Sequence, residues 1–184
     1  MSTIKNIENN DFKSKGYVSI YEMERAHEVA GLCGSASPHH QLLCSAITSR
    51  LNVYFKRSNR FSGLRAFQET RTDNEKEDYI IPDVTVSIKQ NSEMIILIEV
   101  CRDGNVDNDF DKMKKYIETH KSNCEKIKEL FVVEYKFEDE NNEGTNWWRV
   151  SIKNNEYEDK QPTSRSKTID FNLKDCIEWF VGEK

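Results

Sequence analysis

Apolar residues recur every fourth position from Leu43 through Ile47 and Leu51 to Phe55, with Leu42, Ala46 and Tyr54 beside them. That spacing predicts a helix with one buried face. Ser37 can cap it, and Pro38 suits the first helical position. A weaker pattern of Met23, Ala26, Val29 and Ala30 predicts an earlier helix over Ser19–Ala30, broken by Gly31 and Gly34. The period then shortens. Leu64–Phe67 predicts a short strand or an irregular segment, and Val84–Ile88 and Met94–Cys101 predict two strands around a turn-like KQNSE. Met94–Cys101 is apolar on both faces, as a central strand covered on each side should be. Phe110, Met113 and Ile117 mark a helix over Val106–Thr119, followed by strands at Leu130–Phe137 and Trp147–Ile152 and a closing amphipathic helix at Leu173–Val181. Helices and strands interleave, which predicts an α/β fold with a central mixed β-sheet flanked by helices. The polar first 15 residues read as a flexible leader, with a single domain over 16–184.

A chain of 184 residues is long enough for one core. The net charge of −5 argues against a protein that coats polyanions indiscriminately, but not against an enzyme that acts on them. Charge is uneven: Gly31 to Phe67 holds no Asp or Glu, yet contains Arg50, Lys56, Arg57, Arg60 and Arg65. These form either a solvated helix end and loop or a phosphate-facing surface, the latter only if they fold beside a catalytic centre. The five cysteines (Cys33, Cys44, Cys101, Cys124 and Cys176) show no CxxC spacing, which points to a reducing cytoplasmic setting rather than a disulfide scaffold. No apolar run approaches membrane-spanning length, so no membrane partner is expected. A P-loop and a GxGxxG are both missing, which removes the simplest nucleotide-binding readings.

The chemistry concentrates in IIPDVTVSIKQNSEMIILIEVCRDG, Ile80–Gly104. If the two strands pair as a hairpin, Asp83 at the start of one lies near Glu99 at the end of the other. Adjacent carboxylates repel and raise one pKa unless a cation intervenes. Hard oxygen donors of this kind suit Mg²⁺ or Mn²⁺. Glu99 is the more telling residue, because a carboxylate in so apolar a strand requires a partner. Asp83 is equally readable as a strand cap. Cys101 is most simply a small buried hydrophobe.

Pro82–Asp83, a strand, a turn and then Glu99-Val100-Cys101 resemble the PD-(D/E)XK nuclease superfamily, whose fold is restriction-endonuclease-like. Cys101 stands where that signature has its lysine. With Gly34, Pro38 and His39 or His40 ahead of it, and Asp109 or Asp107, Lys112 and Tyr116 after it, the order of elements is similar to the Uma2-type (DUF820) branch. There the lysine has moved to the following helix. VVEYK, Val132–Lys136, and TIDFNLKDCIEWF resemble that branch's later elements. The resemblance implies metal-dependent hydrolysis of nucleic acid, with Asp83 and Glu99 holding Mg²⁺ or Mn²⁺ and Lys112 as the catalytic cation.

The spacing itself leaves the lysine open. Phe110, Met113 and Ile117 define a buried side from which Lys112 falls far round, whereas Lys114 flanks it and Lys115 remains an alternative. Glu24 and Glu28 could complete a metal shell from the first helix, or be solvated. His39 and His40, in a helix's first turn, could touch phosphate or be ordinary surface. Trp147 and Trp148 are best explained by packing. Two functions follow. One is a DNA endonuclease, with RNA also open as substrate and with loops or a homodimer supplying any sequence specificity. The other is an inactive relative serving as a structural, DNA-binding or regulatory subunit.

Overall fold

The computed structural model describes residues 38–68, 82–102, 105–119, 121–136 and 144–177. The polar leader, the predicted Ser19–Ala30 helix with Glu24 and Glu28, Gly34, the Ser37 cap and the charged RTDNEKED segment lie outside the described residues.

The first described element, α1 (Pro38–Arg57), buries the expected stripe: Leu43, Ile47 and Leu51 are fully covered and Phe55 nearly so. Lys56 and Arg57 in its last turn complement the exposed carbonyls there. The chain turns through Gly63 into β1 (Leu64–Gln68), which pairs antiparallel with β2 (Val84–Ile88), and β2 with β3 (Met94–Arg102). The β2–β3 register slips at Val86/Ser87, so Val86 faces Ile96 while Ser87 faces Met94. Helix α2 (Val106–Thr119) and the short α3 (Lys121–Cys124) carry the chain across to β4 (Glu129–Lys136), which runs parallel to β3. β5 (Gly144–Lys153) returns antiparallel beside β4, and β6 (Glu156–Tyr157) and β7 (Gln161–Pro162) pair along its other edge. β8 (Arg165–Ser166) and β9 (Phe171–Asn172) form a separate ribbon. The sheet therefore has seven strands in the order β1-β2-β3-β4-β5-β6, with β7 on β5.

Alternation along β3 sorts the core into two layers. Ile96, Ile98 and Val100 join Leu43, Ile47, Leu51 and Phe55 under α1. Leu97 and Cys101 join Phe110, Met113 and Tyr116 under α2. The fold is α/β, a mixed central sheet flanked by helices, with β3 covered on both faces as its sequence requires. Among the described residues no helix is long and apolar enough to cross a membrane.

The closing helix differs in its described part, and its predicted residues 178–181 lie outside the described residues. Leu173–Cys176 forms one 3-10 turn, and Ile177 already departs from helical backbone at φ −123°. Leu173, Cys176 and Ile177 are all buried, so their spacing imitates an amphipathic helix. Asn172, which would cap such a helix, instead bonds to the Asp175 side chain at 2.5 Å and to Ser164 at 2.6 Å. With its side chain committed across three residues, Asn172 holds the tighter turn.

Edge strand β1 is anchored by a side chain. Asn52 Nδ2 donates to the Ala66 carbonyl at 2.8 Å, and the Ala66 N–H donates to Asn52 Oδ1 at 2.9 Å. One amide thus satisfies both backbone groups of a residue. Asn52→Ala is expected to cost about 1–2 kcal/mol, read as a lower urea midpoint at unchanged slope.

Candidate functional site

β2 stops one residue short of the candidate aspartate. Val84 pairs with Ile98, so Asp83 arrives beside Glu99, and β3 continues past it toward Arg102. The Val100 N–H would lack a strand partner on that side, and Asp83 Oδ2 accepts it at 2.8 Å. The other oxygen, Oδ1, accepts from His40 Nε2 at 2.8 Å. The Glu99 carboxyl hydrogen-bonds to the same aspartate. Asp83 therefore joins His40 of α1 to the C-terminal half of β3.

The two carboxyls are driven apart electrostatically. Burial pushes Glu99 up to about 10, helped by the Asp83 charge and hydrogen bond and by the Asp109 charge, against a smaller opposing pull from Lys112. Burial would raise Asp83 too, but hydrogen bonds from His40, Glu99 and the Val100 N–H, with the His40 charge, hold it below the ordinary carboxylate range. At neutral pH the pair is one carboxylate and one carboxylic acid sharing a proton.

Helix α2 closes this end of the sheet. Its Asp109 is buried, and Lys112 one turn on donates to Asp109 Oδ1. That hydrogen bond, with the charges of Asp109, Glu99 and Asp83, raises the Lys112 pKa against the opposing effect of burial. The wheel reading holds for exposure, since Lys112 is exposed and Lys114 half-buried, but the buried face is wider than the apolar stripe. The buried face of α2 comprises Val106, Asp109, Phe110, Met113 and Tyr116, while Ile117 is only partly covered. Counting Asp109 and Tyr116 turns the face toward Lys112. Lys114 instead pairs with Asp111 at 3.1 Å and lies over the Tyr157 ring, and Lys115 is exposed. Asp107 is exposed and bonds to Lys160, so Asp109 is the aspartate at the site. Tyr116 is buried, but its hydroxyl points to Met94 Sδ at 3.8 Å, at the opposite end of β3 from Glu99.

Three members were not singled out as site residues from sequence. Cys44 lies one turn after His40, and Cys44 Sγ, a His40 ring nitrogen and an Asp83 oxygen lie within 4.8 Å of one another. Burial and the charges of Asp83 and Glu99 push the Cys44 thiol far up. Cys101 is raised by burial and then by Asp109, which also hydrogen-bonds to it. Glu134 faces Cys101 across the parallel β3–β4 register and accepts from Asn146 at 3.0 Å. The i, i+4 spacing could have suggested Cys44. Glu134 obeys the same rule as Glu99, a carboxylate in an apolar strand, but only the register brings it here. All four described cysteines are buried thiols, without a disulfide among them.

His39 is fully buried rather than presented to a phosphate. The basic residues do not converge on the carboxylates. Arg50 lies about 15 Å and Arg57 about 25 Å beyond His40 along α1. Arg60 stacks on Phe61, and Arg65 on Phe67 beside Ser92, at the hairpin end of β2 away from Asp83. Trp147 is buried and Trp148 sits under the Lys160 ammonium, consistent with packing. Set against known proteins, the sequence matches no family model and no curated relative.

Proposed function

We propose that the protein is a Mg²⁺- or Mn²⁺-dependent phosphodiesterase acting on nucleic acid, with DNA as the substrate. The observation that carries this reading is the meeting of Asp83 and Glu99 at the end of the β2–β3 pairing, two buried carboxyls whose repulsion a divalent cation would relieve. The Asp83 and Glu99 oxygens are donors of the kind a hard ion takes, and one Asp83 oxygen is already fixed by a backbone N–H. Such an ion would supply Lewis acidity and an acidified water when bound.

The residues have separable tasks. Val100 N–H and His40 hold the Asp83 carboxylate in place. Glu99 must give up its proton to become a second oxygen donor. Lys112 brings the positive charge that Cys101 cannot, and Asp109 fixes the direction of that ammonium. The resemblance to the Uma2-type branch, with its helical lysine, supports the same assignment. A restriction-endonuclease-like ancestry accords with a mixed sheet between helices.

The test is cleavage of mixed-sequence DNA, single- and double-stranded, with Mg²⁺ or Mn²⁺. Lys112→Ala is expected to lower the rate about 100-fold or more while Lys114→Ala stays near wild type. A fully active Lys112→Ala would remove that residue from the mechanism and leave the carboxylates in it. A folded wild type that binds Mn²⁺ but cuts neither DNA nor RNA would favour the non-catalytic, binding or regulatory role.

A further inference from the structure

The carboxylate pair accounts for one side of Asp83; the other side faces two donors that a hard ion would not select. His40 and Cys44 are one helical turn apart on α1, so both project from the same face. We propose that His40, Cys44 and Asp83 form a site for a thiophilic divalent cation of the Zn²⁺ or Co²⁺ class, distinct in donor chemistry from the Asp83–Glu99 pair.

The geometry is near that of a metal shell. The three donor atoms lie within 4.8 Å of one another. Tetrahedral zinc with Zn–S of about 2.3 Å and Zn–N of about 2.0 Å spaces its ligands roughly 3.2–3.8 Å apart, so closure requires a contraction of no more than about 1.6 Å. Asp83 is held by the Val100 N–H and needs no search for its orientation. The side chains of His40 and Asp83 are 18% and 21% exposed while Cys44 is buried behind them, so an ion can enter from solvent past two ligands to reach the third. Water takes the remaining position.

The charges balance. On binding, the Cys44 S–H bond breaks, its proton leaves to solvent and a metal–sulfur bond forms. His40 carries its ring proton on Nδ1 so that the Nε2 lone pair faces the ion. Thiolate and carboxylate then neutralise the dication. Imidazole and thiolate favour Zn²⁺ and Co²⁺ over Mg²⁺, which is why this site is assigned to the softer class. It does not depend on nuclease activity.

The experiment is a Co²⁺ titration of the reduced full chain, followed in the near ultraviolet, with Zn²⁺ as the displacing ion. The expected result is a thiolate-to-cobalt charge-transfer band that saturates at one equivalent and is abolished by Zn²⁺. Cys44→Ala should remove the band, and His40→Ala should weaken Co²⁺ binding about 100-fold or more, since a lost ligand costs at least as much as a lost outer-shell partner. Glu99→Gln should keep the band. His40 is only partly buried, so its variant decides the matter even if Cys44→Ala is misfolded by circular dichroism. The proposal is overturned if the folded wild type shows no band, if His40→Ala binds Co²⁺ as tightly as wild type, or if Glu99→Gln loses the band, which would assign the ion to the carboxylate pair.

Discussion

Glu99→Gln is expected to reduce Mn²⁺-dependent DNA cleavage about 10³-fold while leaving the metal-free protein at least as stable as wild type at neutral pH. The rate loss follows from removing one of two oxygen donors, since several kcal/mol of charge stabilisation depends on the bound ion. The stability half follows from the proton. Glu99 is held up to about 10 by burial and by Asp83, against an ordinary value of 4.5. Between those values the folded chain binds a proton that the unfolded chain releases, so stability falls as pH rises, by up to about 1.4 kcal/mol per pH unit. The contribution is fully present below 4.5 and gone above about 10. Gln has no proton to lose. In EDTA, urea midpoints of the wild type should fall more steeply from pH 5 to pH 9 than those of Glu99→Gln, and Mn²⁺ should flatten only the wild-type profile. Asp83, held below 3.8, contributes with the opposite sign: its stabilisation is present above that value and disappears on acidification through its lower folded pKa. Asp83→Asn should therefore lose cleavage as fully, and by removing the neighbouring charge it should let Glu99 ionise at a lower pH. Equal slopes for wild type and Glu99→Gln would mean that the pair does not share a proton, and the metal reading would lose its main support.

Much of this architecture is legible in periodicity, because periodicity reports what is buried. Leu43 to Phe55 at four-residue spacing and the doubly apolar Ile95 to Val100 could fold in few other ways, and the helix over Val106–Thr119 has the bounds its apolar stripe predicts. The Asp83–Glu99 encounter is also legible, since a short hairpin fixes its own register. What escapes is whatever depends on distant segments or on polar residues turned inward. His40 reaches Asp83 across 43 residues. Glu134 meets the site only through a parallel pairing, whose register no turn dictates. Asp109 counts as polar in a pattern analysis, yet it is buried, and omitting it rotated the apparent face of the helix away from Lys112. The same blindness, reversed, made Leu173, Cys176 and Ile177 look like the first turn of an α-helix where the chain makes a 3-10 turn.

A buried carboxylate need not be a functional one, and Glu129→Ala supplies the contrast. Glu129 opens β4, and its carboxylate accepts from the Ser166 hydroxyl and from the backbone N–H groups of Lys167 at 2.9 Å and Thr168 at 3.2 Å. The buried Arg149 guanidinium is 3.8 Å away, itself donating to the Arg165 carbonyl at 2.7 Å. This carboxylate fastens the β8 turn, and through it Ile169, whose carbonyl accepts from Tyr54 of α1 at 2.9 Å. Truncating it leaves a buried cation and two backbone donors uncompensated, and the expected loss is about 3–5 kcal/mol, or about 10 °C in Tm. Pairing Glu129→Met with Arg149→Met should recover part of that by removing the stranded charge, but not all, because the Lys167 and Thr168 amides stay unsatisfied. Below its lowered melting point Glu129→Ala should keep the wild-type Mn²⁺ dependence of cleavage. Glu129 is surrounded by donors and is complete as it stands. Glu99 faces the Asp83 carboxylate and the charge of Asp109 with one half-exposed lysine nearby, an arrangement that lowers stability as pH rises. A side chain that costs the fold something and is placed opposite Asp83 is the one to assign to chemistry.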